Sequence, residues 1–548
     1  MLSRRTFAGG MGAATIAAVL SACGNSSSAS DSGSDTSEDA GETATAPELV
    51  VTGGSISGIT NADGDVIIYK GIPFAAPPVG DLRWKAPQPV ESWDGVRVCT
   101  EYAAAAVQAE QAPFMMWTEE FIIDTSLGYS EDCLYLNVWA PANIEGGAPV
   151  VMFIHGGGNT SGGASCDVYD GEAIAKKGIV YVDINYRVGI FGFLASKELS
   201  AESADGVSGN YAIQDQLAAL KWIQDNIATF GGDPENVTIT GQSAGSQNVN
   251  MLTICPEADG LFRNAITMSY NLVGSKLVTL AEKEAEGDAI FDGKTLAEMR
   301  ELSQDEVQEL SGSELATAVA NYNIDDKFVI GDYDDVLLDG KGLNVNVITG
   351  WVTGDDQMFG SFLTGASLLT PDITNPTTVE EYESAAEEKL GDQAEEFLAL
   401  YPAASDDDVE AAVFASNVDY YTANQLKNAQ ERKANGDADV YVYSFSHVMP
   451  GEVPMGAFHT ADVPYWIDHF SEARAEYWTD VDYALGDAMS DYLVNFATTG
   501  DPNGDGVPAW TAYDADAEAL TYMELGDEVA ERTFSDDKAA FWKAYLEL

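Results

Sequence analysis

The chain has 548 residues and an ordinary apolar share, enough for one large α/β unit or several smaller domains around a sizeable core. It carries 89 Asp and Glu against 26 Lys and Arg, a formal net charge of −63, so no basic patch is on hand for phosphates and nucleic acid is excluded as an expected partner. The same charge disfavours anionic substrates at long range, and it suits either a solvated, soluble surface or a salty medium.

The elements begin with an N-terminal export pattern. Ser3–Arg4–Arg5–Thr6–Phe7 is a twin-arginine run, and the apolar stretch Met11 to Leu20 behind it is too short to cross a bilayer as a mature helix. It closes at Leu20–Ser21–Ala22–Cys23, which resembles a bacterial lipobox. Residues 1–22 are therefore predicted as a signal peptide and Cys23 as the lipidation site; an ordinary signal peptide with an incidental cysteine is the alternative. Residues 23–47, rich in Ser, Thr, Gly and acids, contain no large apolar side chain until the domain starts, and read as a flexible tether. The expected location is outside the cytoplasm, with the lipid as the sole membrane contact. Of the remaining cysteines, Cys99, Cys133, Cys166 and Cys255, no pair has zinc-ligand spacing, so no metal is expected, while export permits disulfides.

Residues 48–548 read as one α/β domain. Strands are predicted at Gly53–Ser57 and at Asp65–Lys70, either side of the turn Ala62–Asp63–Gly64, and the Pro-rich segment Lys70–Gly80 follows. Val150–Ile154 and Ile179–Asn185 are β-branched runs of the kind buried on both faces of a sheet. Tyr211 to Phe230 is predicted helical, with Ile213, Leu217, Leu220, Ile223 and Ile227 at helical spacing. Val237–Thr240 is a further strand and Ala244–Cys255 a further helix; later strands are Val345–Val352, Val440–Phe445 and Leu520–Met523. Thr279–Ala320 and Val379–Ala434 read as acidic helical insertions over the sheet, a lid or pocket wall. Strands alternating with helices over this length imply a mostly parallel central sheet flanked by helices.

One junction carries chemistry. Between the strand Val237–Thr240 and its helix lies Gly241–Gln242–Ser243–Ala244–Gly245, the strand–turn–helix context of a nucleophile elbow. A serine on such a strained turn needs small residues two positions away, which Gly241 and Gly245 supply, so Ser243 is the candidate nucleophile.

The run Phe230–Gly245 and the run Glu131–Asp132–Cys133–Leu134–Tyr135–Leu136–Asn137–Val138–Trp139–Ala140–Pro141 resemble the two signature patterns of the type B carboxylesterases, the cholinesterase-like branch of the α/β hydrolases. Lys70–Gly80, Trp93–Arg97, His155–Gly158 and Asn185–Phe193 resemble the same family, in its order, and the likeness extends from about Leu49 to the C-terminus. The resemblance implies an α/β-hydrolase fold and a serine carboxylesterase that works through an acyl-enzyme intermediate without a cofactor. The alternative on the same fold is a non-catalytic binding protein of the adhesion type; such proteins typically lose a triad member, and here all the positions are filled.

The chain has four histidines, His155, His447, His459 and His469. His459 lies in Gly456–Ala457–Phe458–His459–Thr460–Ala461–Asp462–Val463–Pro464–Tyr465, which resembles the family's catalytic histidine loop and follows the last long strand, as the order Ser, acid, His requires; His447 and His469 stay open as alternatives. Aligning Asp355–Asp356–Gln357 on the family's Asp-Glu-Gly implies Asp356 as the triad acid, with Asp355 as the alternative. The resemblance implies an oxyanion hole from the N–H groups of Gly157, Gly158 and Ala244. Gln242 stands where the family often has Glu, which removes a charge that would favour the protonated imidazole. The family's disulfide partner of Cys133 is replaced by Ala106, leaving a Cys99–Cys133 pairing open. Asn159 replaces an aromatic, implying a more polar pocket mouth, and Phe114–Met115–Met116–Trp117 either borders the pocket or packs in the core. These features favour small neutral or aryl esters. Asp501–Pro502–Asn503–Gly504–Asp505–Gly506 opens like a calcium loop but reaches Ala512 where Glu is required, so calcium is not expected.

Overall fold

The structure, a computed structural model, describes residues 46–547 apart from 145, 312–319, 452–455, 518 and 535. The predicted signal peptide, Cys23 and residues 23–45 of the predicted tether lie outside the described residues. The last two tether residues belong to the folded unit instead: Ala46 is buried and its N–H donates to the Gly58 carbonyl (3.0 Å), and Tyr69 Oη donates to the Pro47 carbonyl (2.8 Å).

A single 11-stranded sheet organises the described chain. Its strands in chain order are β1 (Ile59–Thr60), β2 (Val66–Pro73), β3 (Tyr135–Pro141), β4 (Ala148–Ile154), β5 (Val180–Ile184), β6 (Gly232–Gln242), β7 (Asn264–Met268), β8 (Asn346–Val352), β9 (Val440–Phe445), β10 (Thr521–Leu525) and β11 (Val529–Thr533). The spatial order is β11-β10-β9-β8-β7-β6-β4-β5-β3-β2-β1. From β5 through β10 every neighbouring pair is parallel, and antiparallel strands close both edges. This is the α/β-hydrolase arrangement expected above.

The helices that position the site are α1 (Tyr211–Asn226), α2 (Ala244–Thr253), α3 (Asp356–Phe359), α4 (Asp406–Asn435) and α5 (Asp480–Thr499). Alternation along the strands splits the interior into two layers. Val150, Met152 and Ile154 of β4 pack in one with Leu217 of α1, Val249 of α2 and Leu426 of α4. Val151 and Phe153 face the other, with Met489, Leu493 and Phe496 of α5. Both faces of the strand are dry, which is why its sequence is a continuous β-branched and apolar run.

Three details depart from the expected elements. The predicted helix to Phe230 stops at Asn226 and tightens into a 3₁₀ turn, Ile227–Phe230, ended by Gly231 at φ 88°. Strands β1, β3, β7 and β11 are additional to the expected set, and the strand expected at Gly53–Ser57 forms over Gly54–Ser57 in a separate three-stranded sheet. The helix α4, read as part of an insertion, packs directly on β8 and β9 as a flanking layer of the sheet.

Candidate active site

Strand β6 ends at Gln242 and α2 starts at Ala244, leaving Ser243 alone at φ 59°, ψ −123°. That strained conformation is imposed from both sides. The Ser243 N–H donates to the Met268 carbonyl (2.9 Å), and α2 presses so closely on β4 that a Cβ at Gly245 would lie 1.9 Å from the Ile154 carbonyl oxygen. Only glycine permits that approach, and the turn pushes the serine side chain out into a cavity of about 240 Å³.

The histidine loop follows β9 and is tied to the turn after β8. The Gly354 N–H donates to the Ala457 carbonyl (2.9 Å), an approach that a Cβ on Gly354 would block at 2.6 Å. His459, 3 % exposed, lies in the cavity wall with Ser243. Its Nδ1 is 2.7 Å from Oδ1 of Asp355, and its ring stands edge-on to Phe359 at 4.9 Å. A carboxylate only accepts, so Nδ1 carries the proton and Nε2 offers a lone pair, which the Gln242 amide meets at 3.3 Å.

The carboxylate that meets His459 is Asp355, the alternative of the pair, one residue earlier than the alignment on the family pattern implied. Asp355 is 1 % exposed; its Oδ2 accepts the Val352 N–H (3.1 Å) while Oδ1 faces His459. Asp356 opens α3 and turns away, accepting a bond from Asn417 Nδ2 of α4 (2.7 Å), and burial raises its pKa above the ordinary value. Successive side chains on a helical turn diverge by about 100°, so two neighbouring carboxylates cannot both face one imidazole.

The Gly-rich turn after β4 has Gly157 at φ 107° and Gly158 at φ 62°, and the Gly157 carbonyl accepts the N–H groups of Thr160 (3.1 Å) and Ser161 (3.0 Å). Gly157, Gly158 and Ala244 all border the cavity beside Ser243. Ala244 is the first residue of α2, where a helix leaves its N–H groups without an intrahelical acceptor.

The other histidines lie elsewhere. His155 stacks on Tyr186 (4.3 Å) with Nδ1 on the Gly156 carbonyl (2.8 Å), and burial lowers its pKa to about 4. His447 is clamped between Asp527 (2.6 Å) and Asp482 (2.9 Å), and His469 faces Asp167 at 3.5 Å. Among the described residues, only His459 of the four borders the cavity.

Apolar side chains including Phe114, Trp117, Phe121, Ile123, Phe359 and Leu368 form most of the cavity wall, and no Lys, Arg, Asp or Glu stands among the described residues that line it. The segment of unsettled role thus divides: Phe114 and Trp117 border the cavity, Met116 is core at 4 % exposure, and Met115 is exposed. Asn159 does not reach the cavity mouth as expected. It is buried, and its Nδ2 donates to Oε1 of Gln247 (2.8 Å), which borders the cavity in its place. Cys99 and Cys133 are buried free thiols, so the pairing left open does not form. Asp501 Oδ1 accepts the backbone N–H (2.9 Å) and the side-chain amide (2.7 Å) of Asn503, closing that loop on itself.

The profile of the Carboxylesterase family matches residues 45–542. The chain belongs to this family. It is a carboxylic ester hydrolase by that membership. Curated relatives of the carboxylesterase include the fumonisin B1 esterase of Sphingopyxis macrogoltabida, 34% identical over 87% of this chain and 86% of the relative. The para-nitrobenzyl esterase of Bacillus subtilis (strain 168) is 32% identical over 84% and 91%, and liver carboxylesterase 1 of Oryctolagus cuniculus is 31% identical over 87% and 88%.

Sequence reasoning placed Ser243 and His459 at one cavity but missed Gly354, Gln247 and Asp462. Gly354 sits two positions after the last residue of β8, a placement that could have marked it; nothing in the sequence distinguishes Asp462 from the many other acids. Asp462 is fully buried, accepts from Tyr443 Oη (2.7 Å) through one oxygen, and burial pushes its pKa up to about 7.

Proposed function

We propose that this carboxylesterase is a serine enzyme in which Ser243 attacks the ester carbonyl, His459 is the base and Asp355 orients it. The observation that carries the reading is the meeting, at one cavity, of a serine held at φ 59° and an imidazole whose Nδ1 is bonded to a buried carboxylate. His459 Nε2 takes the Ser243 proton as Oγ adds to the carbonyl carbon, and the N–H groups of Gly157, Gly158 and Ala244 receive the charge on the carbonyl oxygen. His459 then gives its proton to the leaving alcohol. An acyl-enzyme remains, and water, deprotonated by the same nitrogen, releases the acid. Asp355 supports the imidazolium formed in each half-reaction and keeps its negative charge throughout.

The substrate class is small neutral or aryl esters: the wall is apolar, uncharged side chains line it, and the strongly acidic surface repels anions. We further propose export through the twin-arginine pattern, lipidation at Cys23, and display outside the cytoplasm on the segment between the lipid and the folded domain.

Hydrolysis of 4-nitrophenyl acetate and butyrate, with Ser243→Ala as control, tests the mechanism. The expected result is turnover by the native chain, a loss of about a millionfold in kcat in the variant, and mass-spectrometric capture of the acyl group on Ser243. A chain that binds esters without turning them over would instead be the non-catalytic binding protein.

A further inference from the structure

Trp117 borders the cavity, and its indole does something an apolar wall does not need. Nε1 donates to the His459 carbonyl (3.2 Å) and to Thr460 Oγ1 (3.1 Å). Thr460, the residue after the proposed base, holds φ 90°. A β-branched residue rarely adopts a positive φ, because its Cβ substituents crowd the backbone; such a conformation persists only where the surroundings over-determine it.

The histidine is therefore held between two ties. On one side the Gly354 N–H grips Ala457 (2.9 Å). On the other, the indole grips His459 and Thr460. Trp117 can serve as an anchor because its own segment is fixed independently. Phe114 and Trp117 exchange backbone N–H···O bonds (2.9 and 3.0 Å) around Met115 at φ 52°, and Glu120 pairs with Arg474 (2.9 Å).

We propose that Trp117 is a positioning residue for the reaction: its indole N–H holds the strained turn at Thr460 and so sets the place of the His459 ring, in addition to the indole's place in the cavity wall. The inference rests on the reading of His459 as the base. Without the N–H, Thr460 relaxes toward a negative φ, the peptide between His459 and Thr460 rotates, and the imidazole leaves its place in the cavity wall shared with Ser243. The apolar wall survives if the ring is replaced by another aromatic.

Two variants act on the tie from opposite ends, the first removing the donor and the second one of its two acceptors. Trp117→Phe keeps the wall and loses the donor; Thr460→Val keeps the β-branched strain and loses the hydroxyl. Each is expected to lower kcat for 4-nitrophenyl butyrate by about tenfold or more with KM changed less than about threefold, since small displacements of a reacting group act on kcat. Thr460→Gly accepts a positive φ without strain, so in that background Trp117→Phe is expected to lose no more than about twofold in kcat, a rescue that a purely structural role would not give. Crystal structures of Trp117→Phe and Thr460→Val supply a readout apart from turnover: residue 460 should leave the left-handed region. Native-like kcat in both variants, an effect confined to KM, an undiminished Trp117→Phe loss in the Thr460→Gly background, or residue 460 kept near its native φ would each overturn the proposal. If Trp117→Phe does not fold, Thr460→Val, which keeps the Trp117 ring in the wall, decides. If the native chain hydrolyses no ester and Ser243 takes no label from a 4-nitrophenyl phosphonate, the proposed mechanism fails, and the backbone angle at residue 460 still judges the tie.

Discussion

Asp355 and Asp356 are chemically identical neighbours whose carboxylates serve different elements. The first accepts from the His459 ring and from the Val352 N–H; the second accepts from Asn417 on α4. Asp355→Asn should therefore lower kcat by about ten-thousandfold, because an amide stabilises the wrong tautomer. Asp356→Asn should leave kcat within a few-fold and change stability by about 1 kcal/mol; equal losses in the two variants would refute the assignment. Asp462 makes a pH prediction. Burial pushes its carboxyl from 3.8 up to about 7 in the fold. The folded chain thus retains a proton that the unfolded chain releases near the ordinary value. That contribution to stability is complete below the ordinary pKa and is lost as pH rises through the folded one, at about 1.4 kcal/mol per pH unit. Asp462→Asn, which keeps an acceptor for Tyr443, should raise the melting temperature relative to the native chain more at about pH 8 than at about pH 5. A constant difference across that range would exclude a buried, titrating Asp462.

At the scale of elements, the site depends on turns from separate strands meeting at the C-terminal ends of β4, β6, β8 and β9. Backbone contact joins two of them: the turn after β8 touches the histidine loop through Gly354 and Ala457. Gly354→Ala would place a Cβ 2.6 Å from the Ala457 carbonyl oxygen, forcing the turns apart. The expected outcome is a loss of at least about tenfold in kcat with a cooperative melt retained. Unchanged kinetics would mean that the two turns move as one. Much of this level is legible in the amino-acid sequence. The β-branched runs of β4, β8 and β9 and the glycines of the elbow state local requirements that a reader can recognise. Which carboxylate meets His459 is not, because Asp355 and Asp356 present the same chemistry in sequence, and the direction of each side chain depends on where the backbone leaves β8 and enters α3.

Across the whole molecule, charge outweighs every other surface property. At −63, the surface repels itself and any anionic ester. Raising NaCl from about 0.05 M to about 1 M shortens the Debye length to about 3 Å and should raise the melting temperature. Over the same range kcat/KM for an anionic ester should rise while that for a neutral one stays nearly level. Parallel salt responses for both esters would show that the surface field does not reach the cavity.

The order of residues alone was enough to specify the sheet-forming runs, the glycine-flanked Ser243 and the loop that carries His459, because each rests on short-range sterics or on a motif contiguous in the chain. It took the folded arrangement to settle that Asp355 faces the imidazole, that Asn159 turns inward and leaves Gln247 in the cavity wall, and that the Trp117 indole grips Thr460. Those outcomes join residues that are far apart along the chain, 342 positions for Trp117 and His459, and they depend on side-chain directions that packing alone fixes.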